Sequence, residues 1–145
     1  MGTTFQDLTV GTELETAGRT ITEADVVNFA GVSGDFNGLH LDAERMADTE
    51  YGERIAQGAL VFSVVTGLIW QAREASEDVV AFYGVDDLRF TAPVFIDDTI
   101  SATLTVAGKE PRDHPEANGV IRYDLEVTKE DGTVVLVAEL LSLVR

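Results

Sequence analysis

The run from Ala59 to Arg73 narrows the fold more than any other part of this chain. Leu60, Val61, Phe62, Val64, Val65, Leu68, Ile69 and Trp70 follow one another with no alternation. The run is too long for a typical strand, and a helix apolar on nearly every side is a buried helix. About fifteen residues rising about 1.5 Å each span roughly 22 Å, enough to cross the core of a small domain. Ser63, Thr66 and Gly67 interrupt the run, which is also too short to span a bilayer.

Beyond it the period changes to two. Thr99 to Val106 sets Ile100, Ala102, Leu104 and Val106 on one face and Thr99, Ser101, Thr103 and Thr105 on the other. Val120 to Thr128 sets Ile121, Tyr123, Leu125 and Val127 against Arg122, Asp124 and Glu126. Both read as half-buried antiparallel strands. Asp131-Gly132 is a hairpin signal joining Ile121–Lys129 to Val134–Val144. The last strand is apolar on both faces, which predicts a central position or a subunit contact. Val79 to Phe90 makes a further strand ahead of Pro93, and Lys109 to Gly119 reads as a loop. The fold class that follows is α+β, one long buried helix wrapped by a curved antiparallel β-sheet.

The first third is shorter in period. Thr4 to Thr20 reads as an extended opening segment with a turn near Gly11. Thr22 heads a Ser/Thr-x-x-acid start pattern ending at Asp25, and a short helix to about Val32 follows. Ser33 to Leu39, with Gly34, Asp35, Asn37 and Gly38, reads as a loop. Asp42 is placed to cap a second short helix through about Asp48.

At 145 residues the chain is most simply one domain, 1–145. It has no cysteine, hence no disulfide framework and no thiolate metal site. Two histidines far apart and scattered carboxylates make no metal site either. The opening MGTTFQDL has neither the basic region nor the apolar run of a secretory signal. Its Met-Gly start lacks the Ser or Thr at position 6 that a myristoylation signal uses, Gln standing there instead. A cytoplasmic protein is expected. Net charge is −16, from 26 acidic and 10 basic residues, and only Lys109 and Lys129 are lysines. No basic footprint for nucleic acid is visible, and anionic membrane surfaces are disfavoured. Acid-rich, lysine-poor surfaces resemble those of halophilic proteins, in which concentrated salt screens the repulsion.

The chemistry concentrates between Phe29 and Ser63. Asp35 and His40 lie five residues apart in a glycine-rich stretch, and Gln57-Gly58 opens the apolar helix about twenty residues later. An acid and an imidazole beside the N-terminus of a buried helix can move a proton and stabilise an oxyanion. Gly-rich phosphate-loop and nucleophile-elbow patterns are absent.

These residues resemble a known signature. Phe29-Ala30, then Ser33-Gly34-Asp35-Phe36-Asn37-Gly38-Leu39-His40-Leu41-Asp42, then Ile55-Ala56-Gln57-Gly58-Ala59-Leu60 are similar to the pattern of the MaoC-like hotdog dehydratase family. Within it the chain most resembles the short (R)-specific enoyl-CoA hydratases. Leu88-Arg89-Phe90, Pro93-Val94 and Asp97-Asp98-Thr99 resemble that family's later strand segments. Two positions depart from the pattern: Gly38 stands where the family has Pro, and Gln57 where it has His. The first removes a φ restraint from the loop; the second keeps a donor and an acceptor.

The resemblance implies a hotdog fold and reversible (R)-specific hydration of trans-2-enoyl-CoA to (3R)-3-hydroxyacyl-CoA, with no cofactor or metal. It also implies an acyl-CoA substrate bound near the contact of a homodimer, and a link to polyhydroxyalkanoate or fatty-acid metabolism. Asp35 and His40 are the implied catalytic pair, and the Gly58 N–H is the expected oxyanion donor. Asn37 shapes the loop, Gln57 supports the helix start, and Ser63 matches by position a serine that bonds the acid. Purely structural alternatives stay open: Asp35 as a turn cap, His40 as a satisfied core histidine, Gly58 as a helix-entry glycine, and Ser63 bonding back to its own helix. Asp42 reads as a cap rather than a catalyst, His114 as exposed loop, and Arg89 as a contact for CoA phosphates. Two rival functions also stay open, a hotdog thioesterase and a non-catalytic acyl-binding subunit.

Overall fold

The computed structural model describes residues 3–73 and 78–145. In chain order the elements are β1 (Glu13–Glu15), β2 (Arg19–Thr20), α1 (Glu23–Ser33), α2 (Gly38–Leu41), α3 (Ala43–Ala47), α4 (Gly58–Ala72), β3 (Val79–Phe90), β4 (Thr99–Pro111), β5 (Gly119–Lys129) and β6 (Val134–Val144). The strands form one antiparallel sheet in the order β1-β4-β5-β6-β3, with β2 also paired to β4. This is the arrangement expected of a hotdog fold.

The period-two strands behave as their patterns require. Ile100, Ala102, Leu104 and Val106 of β4 and Ile121, Tyr123, Leu125 and Val127 of β5 are all buried. They pack with Leu60, Val61, Val64, Val65, Leu68 and Ile69 of α4 in one core. β6 is an inner strand, flanked by β5 and β3, and its Leu136, Ala138, Leu140 and Val144 join the core. The β5–β6 connection turns at Gly132, whose φ is +83°, with Thr133 N–H donating to Asp131 Oδ1.

Three expectations need correcting. The burial of α4 is one-sided: the six core residues recur as adjacent pairs every four positions, while Ala59, Ser63 and Trp70 lie on an exposed stripe. The segment Lys109 to Gly119 is not all loop. β4 continues to Pro111 past an irregularity between Val106 and Gly108, and Lys109, Glu110 and Pro111 pair with Ile121, Val120 and Gly119. Gly119 permits this approach, since a Cβ there would stand 2.4 Å from the Glu110 carbonyl oxygen and from the Phe5 ring. Finally, Gly38–Leu41 forms a helical turn within the stretch read as loop to Leu39.

Candidate active site

The site begins with the cap of α1. The Thr22 hydroxyl accepts from the Asp25 N–H, and the Asp25 carboxylate accepts from the Thr22 N–H, a complete capping box. The helix ends at Gly34, whose φ of +77° is a backbone that glycine adopts without strain. From there a relay of short bonds sets the loop. Ser33 Oγ donates to the Phe29 carbonyl and accepts from the Asp35 N–H at 3.1 Å. Asp35 Oδ1 accepts from the Asn37 N–H at 3.3 Å, and Asn37 Oδ1 accepts from the Leu39 N–H at 3.0 Å, capping α2. Asn37 thus shapes the loop through backbone bonds, and α2 carries His40. Asp42 caps α3 by accepting from the Arg45 N–H.

His40 is buried, and its Nδ1 lies 2.7 Å from the Ile55 carbonyl oxygen. A carbonyl only accepts, so Nδ1 carries the hydrogen and the neutral ring presents a lone pair at Nε2. Ile55 returns a second bond, its N–H donating to the Leu39 carbonyl at 3.0 Å. Nε2 stands 3.4 Å from Asp35 Oδ2, with the Asp35 side chain half exposed. Two acceptor atoms so close cannot bond each other while the ring is neutral. They are placed to accept together from one small donor such as water.

The Ile55 strand segment leads directly to α4. Ala56 N–H donates to the Val94 carbonyl at 2.7 Å, and Gln57 then takes the N-cap position without capping the helix by its side chain. The first N–H groups of α4 therefore keep their partial positive charge for another acceptor. Gly58, the first helical residue, shares with His40 a cavity of about 380 Å³ that Tyr51, Val61, Phe90 and Val94 also line. The residues singled out by spacing thus stand with Asp35 against His40, and His40 and Gly58 on one cavity. Spacing missed Tyr51 and Phe90; the second lies in the Leu88-Arg89-Phe90 segment that the resemblance had quoted.

The supporting residues divide. Gln57 is buried, and its Nε2 donates to the Val26 carbonyl at 3.1 Å, tying the start of α4 to α1; its Oε1 has no partner among the described residues. Ser63 does not bond Asp35. Its hydroxyl donates to the Ala59 carbonyl at 2.8 Å on the exposed stripe of α4, the back-bonding habit of helix serines. Arg89 is exposed, with its guanidinium on the neighbouring Leu88 carbonyl, one residue from Phe90. His114 lies exposed in the β4–β5 loop, where Nδ1 accepts from the Glu116 N–H. Among the described residues, no three His, Asp or Glu side chains converge as a metal would require. No described helix is long and apolar enough to cross a membrane.

Known proteins resemble the chain along most of its length. The family model for a MaoC like domain matches residues 5–129. Over 105 residues the chain is 41% identical to the MaoC protein of Klebsiella aerogenes, covering 72% of this chain but only 31% of that longer protein. It is 35% identical over 107 residues to an (R)-specific enoyl-CoA hydratase of Rhodospirillum rubrum, covering 74% of this chain and 72% of the relative. Among solved structures, a monoamine oxidase regulatory protein from Archaeoglobus superposes with a TM-score of 0.91 at 40% identity, covering 98% of this chain and 94% of its own. The (R)-hydratase of Aeromonas caviae superposes with a TM-score of 0.80 at 27% identity, covering 97% and 99%. A matched model over most of the chain and a hydratase relative above 30% identity settle the family: this chain belongs to the MaoC-like hydratases and dehydratases.

Proposed function

We propose that the chain is a hydro-lyase that adds water reversibly to trans-2-enoyl-CoA, giving the (3R)-3-hydroxyacyl-CoA. The observation that carries this reading is the pair of acceptors at His40 Nε2 and Asp35 Oδ2, 3.4 Å apart beside the uncapped start of α4. A water donating one hydrogen to each is held with its oxygen lone pairs free to attack C3. As the C–O bond forms, one acceptor takes a proton from the water. The π pair moves toward the thioester, and charge develops on its oxygen, which the Gly58 N–H is placed to receive. The proton then passes from the pair to C2, so that H and OH are both accounted for. The (R) hand and the CoA carrier rest on the naming of the relatives.

A homodimer is part of this reading. β3 is the edge of the sheet, and exposed Phe82 and Tyr83 lie along it. Exposed aromatics along a sheet edge favour burial against a second copy.

Crotonyl-CoA tests the reading in one experiment. Loss of enoyl absorbance without release of thiol is the expected result. Free thiol in its place marks a thioesterase, and neither change marks an acyl-binding subunit.

A further inference from the structure

Phe90 is a large side chain in an unusual place. Its ring is 53% exposed, so the core does not account for it. Its distal edge lies directly over Gly58: a Cβ built on that glycine would stand 2.8 Å from Phe90 Cε2 and Cζ and 2.9 Å from Cε1. The glycine at the start of α4 thus makes room for this ring. Phe90 and Gly58 both line the cavity that holds His40.

The backbone holds Phe90 there on both sides. It pairs with Leu136 of β6 at the end of β3. Immediately after it, the Thr91 N–H donates to the Val135 carbonyl at 3.0 Å, and the Thr91 hydroxyl donates to the Val134 carbonyl at 2.7 Å. Just before it, the β3–β6 register shifts between Asp86 and Arg89, and Asp87 has a φ of +51°. A bulge of this kind re-aims the side chains that follow it. A non-glycine residue in the left-handed region costs free energy, which the surrounding structure must offset.

We infer that Phe90 is a specificity-determining residue that excludes substituents at C2 of the acyl group. The inference rests on the hydration reading above. In that reading the thioester oxygen sits at the Gly58 N–H, and the shared water sits at His40 and Asp35. C2 is bonded to the carbonyl carbon and to C3, so it lies between these two points. The wall beside that span is the Phe90 ring, and a methyl group on C2 projects toward it. A substituent further along the acyl chain, beyond C3, leaves the ring behind. The Phe90 backbone is held in the β3–β6 ladder, which sets its ring beside Gly58.

The test compares kcat/KM for crotonyl-CoA, 2-methylcrotonyl-CoA and trans-2-pentenoyl-CoA in the wild type, Phe90→Ala and Phe90→Leu. One methyl group in a packed apolar pocket is discriminated by about 10- to 200-fold. In Phe90→Ala the ratio of 2-methylcrotonyl-CoA to crotonyl-CoA is therefore expected to rise by at least about 10-fold. The ratio of pentenoyl-CoA to crotonyl-CoA is expected to stay constant. Phe90→Leu keeps apolar bulk without the ring edge and should give an intermediate rise, which covers the case in which the alanine variant fails to fold. An unchanged 2-methyl ratio in folded variants, or a parallel rise for both substrates, overturns the inference while leaving hydration standing. A wild type that hydrates none of the three removes the hydration reading itself.

Discussion

The Ile55 carbonyl commits His40 to one tautomer, and that single bond decides what the imidazole can do. With Nδ1 donating, the neutral ring has its lone pair at Nε2, facing Asp35. Asp35→Asn and His40→Gln should therefore each lower crotonyl-CoA hydration by about 10² to 10⁴-fold with the fold retained. Because the two groups would hold one water, the double variant should be little worse than either single one. Near-normal turnover by either single variant would exclude the shared water. Gly58→Val should cost far more activity than stability, since its Cβ displaces the half-exposed Phe90 ring and fills the approach to the N–H. Blocking one oxyanion donor costs about 3 kcal/mol of transition-state stabilisation; a variant that keeps its rate would move the oxyanion site elsewhere. What was legible at this scale was local. Asp35, Asn37 and His40 meet through contacts that reach only two to five residues along the chain, so spacing reveals them. Phe90 touches Gly58 across thirty-two positions, and the Gln57–Val26 bond crosses thirty-one, distances over which a single sequence carries no contact signal. For Ser63 both readings stayed open, because position in a family pattern says nothing of rotamer; the structure shows the bond back to its own helix.

Elements were legible where one physical signal fixes them. The Thr22-x-x-Asp25 box, the Asp42 cap and the Asp131-Gly132 turn all form as their side chains dictate. The one-sidedness of α4 was hidden because apolar residues also occupy its exposed stripe, so hydropathy alone could not tell which face the sheet covers. The extension of β4 was hidden by Gly108, Pro111 and the charged Lys109 and Glu110, which resemble loop composition. On the paired strands, however, Arg122 reaches Glu110, Glu139 and Asp86 across the ladder. The α1 cap yields a measurable prediction, because this helix feeds the loop that carries Asp35. Thr22→Ala should cost about 1 kcal/mol in denaturant unfolding. Burial pushes the Asp25 carboxyl up, but the Thr22 N–H and hydroxyl and the Arg19 guanidinium outweigh it, so the net shift is downward. A carboxylate with a lowered folded pKa stabilises above its unfolded value of about 4 and loses that contribution as pH falls through the folded value. The stability gap between wild type and Asp25→Asn should thus be full at neutral pH and close in acid. A gap that is constant from neutral to acid pH would show that the carboxylate's charge is not what the cap uses.

Charge is the property that belongs to the whole molecule. Ten basic residues can neutralise at most ten of 26 carboxylates, which leaves sixteen (26 − 10) without a cation of their own. Acids crowd one surface: Glu13, Asp87, Asp124 and Glu126, beside the Arg122-paired Glu139, line a single open hollow on the sheet. Salt acts on such a surface in two opposing ways. It weakens exposed pairs such as Arg112–Glu110 and Arg19–Asp25, each worth about 0 to 1 kcal/mol. It also screens the repulsion among the unmatched acids, which outnumber the pairs. The second effect wins, so the melting temperature should rise from dilute buffer to molar KCl. The same field bears on binding. CoA carries phosphates, and a molecule at −16 repels them. Arg89 is the exposed cation nearest the cavity in sequence, one residue before Phe90, and its guanidinium donates to the Leu88 carbonyl. One cation against that mean field favours repulsion as the dominant effect. The Michaelis constant for crotonyl-CoA should therefore fall as KCl rises, whereas a dominant Arg89–phosphate contact would make it climb. Arg89→Gln separates the two, since it should raise the Michaelis constant most in dilute salt and least where charges are screened. Between about 0.1 and 2 M KCl the Debye length contracts from roughly 10 Å to below 3 Å. A melting temperature and a Michaelis constant that both stay flat over that range would mean that the surface charge governs neither stability nor substrate capture.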